Sequence, residues 1–368
     1  MSARPLRIVV IAPLRFPIRR PHAGGLESAV WAEVDALRRR GHEVTFIAPD
    51  GSDFLSATPV FRLPPVMWPE GEQPTDRTWP TSYRLECAPA LDLALSEIAR
   101  HPERYDVISN HCLDPLPLRR SGSLGVPMVT TLHTPVDAAA VTAHVAADGA
   151  GSHFLSVSAH TKMQWDAAGV PSELLSNGVD PDVWALGPGG DDLVWFGRIV
   201  PEKAPHLAVE VARRLGRRLI IAGRIGDEVY ARNVLLPLVG DGIDYVGELS
   251  PGPLAELVGR SGLALATPAW AEPFGLVGPE ALMCGTPVVG FAVGGVPEIA
   301  AATMGMQLVA PGDVTAMTER AGAMLPSGRD AAFRAVVRET AERRFSLEAR
   351  IETLETIFAG MLATETAA

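Results

Sequence analysis

Short apolar, β-branched segments alternate with amphipathic helical segments along nearly the whole chain. Residues 6–13, LRIVVIAP, are a predicted strand, and residues 26–41 are a predicted helix that ends at Gly41. Alternation at this spacing predicts parallel sheets covered by helices. The predicted strands lie at 6–13, 43–49, 106–110, 127–133, 154–158, 173–177, 193–198, 218–223, 244–247, 263–267 and 287–291.

A connector rich in Gly, Pro and Asp, residues 176–192, interrupts this alternation near the middle of the chain. A chain of 368 residues is long enough for two domains, each with its own core. We therefore predict two doubly wound α/β domains, residues 1–177 and 178–345, with a last helix at 346–361 that crosses back to the first. Such sheets bind ligands at the carboxyl ends of their strands, and two facing each other form a cleft.

Composition argues against several classes of protein. A net charge of −11 without a polycationic segment argues against a nucleic-acid partner. No apolar run reaches the roughly 18 residues of a membrane-spanning helix, and the N-terminus lacks a signal-peptide cleavage site. Three cysteines far apart predict neither disulfides nor a zinc cluster. We expect a cytoplasmic protein with at most peripheral membrane contact; the arginines at 38–40 are interpreted as a helix C-terminus, with a phosphate- or membrane-facing role as the alternative.

Two loops have features of anion sites. Gly24 and Gly25 precede the first helix, where free amides and the helix dipole favour an anion, although a tight turn would use the same residues. No G-x-G-x-x-G opens this helix, which argues against a dinucleotide enzyme. Arg198 ends a predicted strand and Lys203 begins the next helix, so the two cations can converge on one anion, with a surface ion pair as the alternative. Two of the 32 basic residues are lysines, and a lysine here indicates that a compact ammonium is required.

Two glutamates, Glu272 and Glu280, flank the Gly- and Pro-rich turn EPFGLVGPE. Glu272 follows a predicted strand, and Glu280 lies about one turn into a helix that begins near Gly275. The amides of residues 274–276 would then face an electronegative ligand. Each carboxylate can accept two hydrogen bonds from a vicinal diol, as acidic residues do with ribose. Helix-dipole stabilisation and solvent exposure are the alternative roles.

Taken in order, these motifs resemble the family 4 retaining glycosyltransferases of the GT-B fold. The resemblance spans nearly the full chain, and it departs from the family at Ala204, where glycine is usual after the lysine. The matching segments are Gly24-Gly25, TLHTP (131–135), SVSAHTK (156–162), SNGVD (176–180), FGRIVPEK (196–203), EPFGLVGPE (272–280), GTPVVG (285–290), GGVPEI (294–299) and LVAPGD (308–313).

The resemblance implies a role for each matching residue in binding a nucleotide-sugar donor, most simply a UDP-sugar. It implies that Arg198 and Lys203 hold the diphosphate, approached by the Gly25 amide, and that Glu280 binds the ribose. The other implied contacts are Glu272, Phe274, Gly275 and Leu276 with the sugar hydroxyls, His133 with the sugar C6 hydroxyl, and Glu248 near the base.

The implied reaction transfers the sugar to a hydroxyl group of a small-molecule acceptor with retention of anomeric configuration. Negative charge grows on the departing phosphate, and fixed cations and amides stabilise it. No metal-ligand cluster is evident, since Asp180 and Asp182 belong to the connector. We therefore expect catalysis that requires neither a metal ion nor another cofactor.

Two other classes of function stay open at this point. One is an enzyme of the same fold without acceptor transfer, such as a sugar-nucleotide epimerase or a phosphorylase, for which Lys162 is the remaining lysine. The other is a non-catalytic sugar-nucleotide-binding module. The Pro-rich segment 59–83, with Trp68 and Trp79, is a candidate acceptor loop or a packed surface loop. If it binds the acceptor, replacing both tryptophans by Ala will raise the acceptor KM.

Overall fold

The computed structural model describes residues 4–69, 78–147 and 151–367. The chain divides into two compact units, one formed by Met1–Ser176 with Leu347–Ala368 and the other by Asn177–Ser346. The boundaries predicted after residues 177 and 345 lie next to these. Two doubly wound parallel-sheet units are the fold class predicted from the sequence.

The first unit is built on a parallel sheet whose central strands are buried on both faces, as expected when helices cover a sheet on two sides. Its strands within the described residues are β1 (Arg7–Ile11), β2 (Glu43–Pro49), β3 (Arg62–Leu63), β4 (Val107–Asn110), β5 (Met128–Leu132), β6 (His153–Ser156) and β7 (Glu173–Leu174). Their spatial order is β3-β2-β1-β4-β5-β6-β7. The order reverses between β1 and β4, where a doubly wound sheet has its ligand-binding crevice.

The helices of this unit follow the strands as crossover connections. They are α1 (Gly25–Arg39), α2 (Ala88–Arg100), α3 (Leu116–Arg120), α4 (Ala138–Ala146) and α5 (Ala159–Ala167). Val30, Val34 and Leu37 of α1 recur at helical spacing and are fully buried against the sheet.

The second unit repeats this plan. Its strands are β8 (Leu193–Phe196), β9 (Leu219–Ala222), β10 (Ile243–Tyr245), β11 (Leu263–Ala266), β12 (Val288–Phe291) and β13 (Met306–Val309). The parallel order in the described residues is β10-β9-β8-β11-β12-β13, so the reversal lies between β8 and β11. Its helices are α6 (Pro205–Leu215), α7 (Glu228–Tyr230), α8 (Pro251–Gly259), α9 (Val277–Met283), α10 (Val296–Ala302), α11 (Val314–Met324) and α12 (Ala331–Phe345).

A buried arginine on α12 forms hydrogen bonds to the connector and to the ends of two helices of the second unit. Arg334 donates hydrogen bonds to the carbonyl oxygens of Gly187 (3.2 Å), Gly259 (2.7 Å) and Cys284 (3.0 Å). Burial lowers the pKa of Arg334 to about 10, which leaves the guanidinium charged at neutral pH. The side chain therefore satisfies carbonyls at the ends of α8 and α9 that have no partner within their helices.

The last helix, α13 (Leu347–Ala367), packs in the first unit. Ile351, Leu354 and Phe358 are fully buried in that unit's core. The Arg40 guanidinium at the end of α1 donates to Glu355 of α13 at 2.7 Å. One arginine of the 38–40 cluster, Arg40, therefore connects α1 with α13 through an ion pair. Within the described residues, no helix is both long enough and apolar enough to cross a bilayer.

Candidate functional site

A pocket lies in the second unit, at the point where the strand order reverses. Phe196, the last residue of β8, and Ala266, the last residue of β11, both line it. Lys203, Glu272 and Gly275 contribute to its wall. The pocket therefore occupies the carboxyl edge where a doubly wound sheet binds ligands, and it brings three of the predicted site residues together.

An ion pair between two of the predicted residues stands in this pocket. Lys203 Nζ lies 2.5 Å from Glu272 Oε1, and the indole N–H of Trp270 donates to the same oxygen at 2.8 Å. Glu272 is 5% exposed, and these two donors supply the partners that a buried carboxylate requires. The alternative role considered for Lys203 was a surface ion pair. Lys203 does form an ion pair, but the pair lies inside the pocket and involves Glu272, another predicted site residue. The sequence analysis did not single out Trp270, although its position two residues before Glu272 is a usable signal.

The backbone around Lys203 explains the usual glycine at position 204. Ala204 has φ 46° and ψ 51°, a left-handed conformation that costs a residue with a Cβ about 1 kcal/mol. The Thr267 hydroxyl lies 3.0 Å from the carbonyl oxygens of both Lys203 and Ala204. These contacts hold the strained turn. Lys203 ends a short 3₁₀ turn (Pro201–Lys203) that leads directly into α6.

The segment GGVPEI positions the backbone of Glu272. The Gly295 amide donates to the Glu272 carbonyl at 2.8 Å. A Cβ on Gly294, where φ is +55°, would stand 2.0 Å from the same oxygen, so only glycine fits there. Gly275 has φ +94° and turns the chain into α9. These glycines account for the two motifs occurring together.

Glu280 lies in the first turn of α9 and is half-buried. Burial raises the pKa of its carboxyl to about 8, against the opposing effect of the Lys203 ammonium. The carboxyl is therefore mostly protonated at neutral pH. In that state it offers one donor and one acceptor, which suits contact with a hydroxyl group.

The other predicted residues of the second unit do not line the pocket. Arg198 lies two residues beyond the end of β8, so its expected place at the strand end is corrected to the following loop. Leu276 precedes the first residue of α9. The ring of the buried Phe274 packs edge-on against that of Phe345, with the ring centroids 5.7 Å apart. Glu248 is exposed in the loop after β10. The described residues that line the pocket do not include Arg198, Glu248, Phe274, Leu276 or Glu280.

In the first unit, Gly24 and Gly25 lie at the N-terminus of α1. Gly24 is the extended residue before the helix, and Gly25 is its first residue. No side chain caps this end among the described residues, which leaves its amides directed out of the helix. The buried Glu27 carboxylate also lies in this first turn, so an anion there would stand near a negative charge.

His133 follows β5 and belongs to a buried hydrogen-bonded chain that the sequence analysis missed. Its Nε2 lies 2.9 Å from Nδ1 of His111, and Nε2 of His111 lies 2.9 Å from Oε1 of Glu33. Arg350, on α13, pairs with the other oxygen of Glu33 at 3.3 Å. Burial, then the neighbouring His111 and Arg350, hold the pKa of His133 well below its ordinary value. The ring is therefore neutral at physiological pH.

The surroundings of Lys162, Asp180 and Asp182 bear on the phosphorylase alternative and on metal binding. The Lys162 ammonium lies 2.5 Å from Asp166 and 2.6 Å from the Ser172 carbonyl oxygen. Asp180 accepts from the Asp182 amide at 3.0 Å, a local turn. The described residues contain no group of three or more His, Cys, Asp or Glu arranged to hold a metal ion.

The Pro-rich segment is only partly described. Trp79 stacks on Tyr83, with ring centroids 3.8 Å apart, and the Arg15 guanidinium lies 4.8 Å from the Trp79 ring. Trp68 is half-buried. Residues 70–77 of the predicted acceptor loop lie outside the described residues.

Comparison with known proteins assigns the two units separately. Residues 23–183 match the family described as Glycosyltransferase Family 4, and residues 181–343 match Glycosyl transferases group 1. A protein of Gordonia bronchialis named D-inositol 3-phosphate glycosyltransferase is 30% identical over 353 residues, covering 79% of this chain and 74% of that protein. The chain belongs to the family 4 glycosyltransferases.

Solved structures agree with this family 4 assignment at the level of the fold. Sucrose-phosphate synthase from Thermosynechococcus elongatus superposes with a TM-score of 0.77 at 18% identity, over 97% of this chain and 100% of the other. Anabaena Alr3699/HepE, solved in complex with UDP and glucose, gives a TM-score of 0.70 at 16% identity, over 96% and 99%. The family 4 chain therefore has the GT-B fold predicted from its motifs.

Proposed function

We propose that this glycosyltransferase moves a sugar from a UDP-sugar to a hydroxyl group of a small-molecule acceptor, with retention of configuration and without a metal ion. The observation that carries the proposal is the Lys203–Glu272 pair, buried in a pocket at the reversal of the second sheet. One cation suited to a phosphate and one carboxylate suited to sugar hydroxyls stand there within hydrogen-bond distance.

We further propose the donor contacts that the family resemblance implies. Lys203 and Arg198 bind the diphosphate, while Glu272 and the backbone of residues 274–276 bind sugar hydroxyls. Glu280 binds the ribose. The UDP moiety is supported by the HepE structure, which contains UDP and glucose. On the first unit, the amide of Gly25 and the ring of His133 take the roles that the resemblance implies.

Donor binding exchanges partners in the pocket. Without donor, Lys203 and Glu272 neutralise each other at 2.5 Å. A bound donor gives Lys203 the diphosphate and gives Glu272 the sugar hydroxyls, while the Trp270 indole continues to hold Glu272. Both charged groups therefore keep a partner in each state, which avoids leaving an unpaired buried charge.

The chemical step breaks the bond between the anomeric carbon and the phosphate oxygen. The acceptor hydroxyl oxygen forms the new bond to that carbon, and its proton moves to the departing phosphate oxygen. Lys203 and Arg198 stabilise the charge that grows on this phosphate, without a metal ion. Because the leaving oxygen is the base, the acceptor enters on the same face and the configuration is retained.

His133 is an unsuitable general base for the alternative, inverting reaction. Burial and nearby positive charge lower its pKa, which weakens it as a proton acceptor. This observation supports proton transfer to the phosphate, and we propose a binding role for His133.

Mass spectrometry of reactions with a panel of nucleotide sugars and hydroxyl acceptors tests the proposal. D-inositol 3-phosphate belongs in the panel because the Gordonia bronchialis relative carries its name. We expect a glycosylated acceptor from a UDP-sugar, in unchanged yield with EDTA. Lys203→Ala should turn over much more slowly, and Lys162→Ala should keep the wild-type rate.

Two results would overturn the proposal. Nucleotide release at the same rate with and without every acceptor would indicate an enzyme without acceptor transfer. A product that forms only when a divalent cation is supplied would contradict the metal-independent mechanism.

A further inference from the structure

Two segments of the second unit are joined beside the pocket. The lysine turn, residues 201–204, leads into α6, and the loop at residues 267–272 follows β11. The amide of Ala269 donates to the carbonyl oxygen of Glu202 at 2.7 Å, which links the two backbones. These segments carry the two members of the buried ion pair, so the contacts between them bear on where the lysine ammonium lies.

A buried hydroxyl makes the second connection, and its hydrogen can be placed. The indole N–H of Trp195 donates to Oγ1 of Thr267 at 3.0 Å, and an indole nitrogen can only donate. The hydroxyl hydrogen of Thr267 is therefore directed to the carbonyl oxygens of Lys203 and Ala204, each 3.0 Å from Oγ1. Trp195 and Thr267 are 2% and 1% exposed, so these hydrogen bonds lie out of contact with water.

The two carbonyl groups flank the strained residue of the lysine turn. Ala204 has a left-handed conformation, which a residue with a Cβ adopts only at a cost in free energy. The Lys203 carbonyl belongs to the peptide group before the Cα of Ala204, and the Ala204 carbonyl belongs to the peptide group after it. One donor that binds both oxygens therefore fixes both backbone torsion angles of Ala204. Without that donor, the strained backbone would be free to relax, and the peptide group that follows the Lys203 Cα would rotate.

We propose that Thr267 is a positioning residue for the nucleotide-sugar donor: its hydroxyl holds the left-handed turn at Ala204 and thereby keeps the Lys203 ammonium where the diphosphate binds. This inference rests on the proposed function, in which Lys203 is a diphosphate ligand. Thr267 also lines the pocket. The test must therefore separate an action through Lys203 from a direct contact between Thr267 and the donor.

The first test measures the UDP affinity of the full-length protein by isothermal titration calorimetry. Thr267→Val keeps the shape of the side chain and removes the hydroxyl, and its Kd should rise by about 10-fold because a displaced ammonium loses most of one charge-assisted hydrogen bond. Thr267→Ser keeps the hydroxyl, and its Kd should stay within about twofold of the wild-type value. Wild-type affinity in the Val variant, or a Ser variant as weak as the Val variant, would overturn the proposal. Thr267→Cys, whose thiol is a weak donor, replaces the Val variant if that protein does not fold.

Thr286→Val is the matched control for a buried threonine of the same unit. Thr286 is fully buried, and its hydroxyl donates to the carbonyl oxygen of Val258 at 2.8 Å. Urea unfolding should show reduced stability in both Val variants, whereas only Thr267→Val should bind UDP more weakly. An equal loss of affinity in Thr286→Val would reveal a general effect of destabilisation and overturn the positioning role.

A double-mutant cycle with Lys203→Ala identifies the route by which Thr267 acts. In the Lys203→Ala background, Thr267→Val should leave the Kd for UDP unchanged, since the ammonium that the hydroxyl positions is absent. A further loss of about 10-fold in that background would indicate a direct contact and overturn the inference. Lys203→Ala that binds UDP like the wild type would instead count against the proposed function, because Lys203 would not be a diphosphate ligand.

A second cycle with Ala204→Gly tests the role of the strained turn. Glycine adopts the left-handed conformation without the cost that a Cβ imposes, so the turn depends less on the threonine hydroxyl. In the Ala204→Gly background, the loss of UDP affinity caused by Thr267→Val should shrink from about 10-fold to about threefold. An undiminished loss in this background would contradict the claim that Thr267 acts by holding Ala204 in its left-handed conformation.

Discussion

The protonation of Glu280 predicts how the stability of the unliganded protein depends on pH. Its carboxyl has a pKa of about 8 in the folded protein against an ordinary 4.5. Between these values the folded state keeps a proton that the unfolded state releases, so the free energy of unfolding falls by about 1.4 kcal/mol per pH unit as pH rises. Glu280→Gln removes this dependence and keeps the shape of the side chain.

The magnitude follows from the same pair of values. Because Glu280→Gln cannot ionise, its free energy of unfolding should exceed that of the wild type by about 1 kcal/mol at pH 5 and by about 3 kcal/mol at pH 7. The gain at pH 7 should exceed the gain at pH 5 by about 2.5 kcal/mol. Any effect of the amide that does not depend on pH cancels when one gain is subtracted from the other.

Urea unfolding of the unliganded protein at both pH values, followed by tryptophan fluorescence, measures this difference. Glu256→Gln, an exposed position on α8, is the matched control and should show almost no pH-dependent gain. Equal gains for Glu280→Gln at pH 5 and pH 7 would refute the argument that burial keeps this carboxyl protonated.

Three further predictions concern the second unit. Lys203→Ala should lower kcat/KM by about 10- to 150-fold in steady-state assays, because one charge-assisted contact to the leaving phosphate is lost; a change below twofold would contradict its role. Glu280→Ala should weaken UDP binding in calorimetry because the ribose is part of UDP, whereas Glu272→Ala should leave UDP affinity nearly intact and lower kcat; equal affinity losses would rule out this division. Arg334→Leu should lower the free energy of unfolding by about 3 to 5 kcal/mol, since several buried carbonyls lose a charged donor; exposed Arg217→Leu is the control, and equal effects of the two would contradict the buried role.

The fold was predictable because its signals are local. Periodicity and β-branched runs place the strands, and glycines and prolines mark the connector. The two-residue strand β3 and the strand β13 were not predicted; β3 is too short to show a period. The shift of Arg198 and Lys203 into loops and turns reflects hydrogen bonds at element ends that no residue pattern specifies.

The site was predictable as a set of residues but not as a set of contacts. Lys203 and Glu272 lie 69 positions apart, and their ion pair depends on β8 lying beside β11. Glu33 and Arg350 are 317 positions apart, joined only because α13 packs in the first unit. The protonation of Glu280 is likewise set by burial, which tertiary packing determines.

The anomeric configuration of the product tests the central claim most directly. The account predicts that a gluco-configured donor with an α-linked sugar gives an α-linked product, since the departing phosphate is the base on the face where the acceptor enters. In the proton NMR spectrum of the purified product, the anomeric signal should then show a small coupling to its neighbour. A large coupling, which indicates a β-linked product, would contradict front-face transfer and require a general base in the first unit.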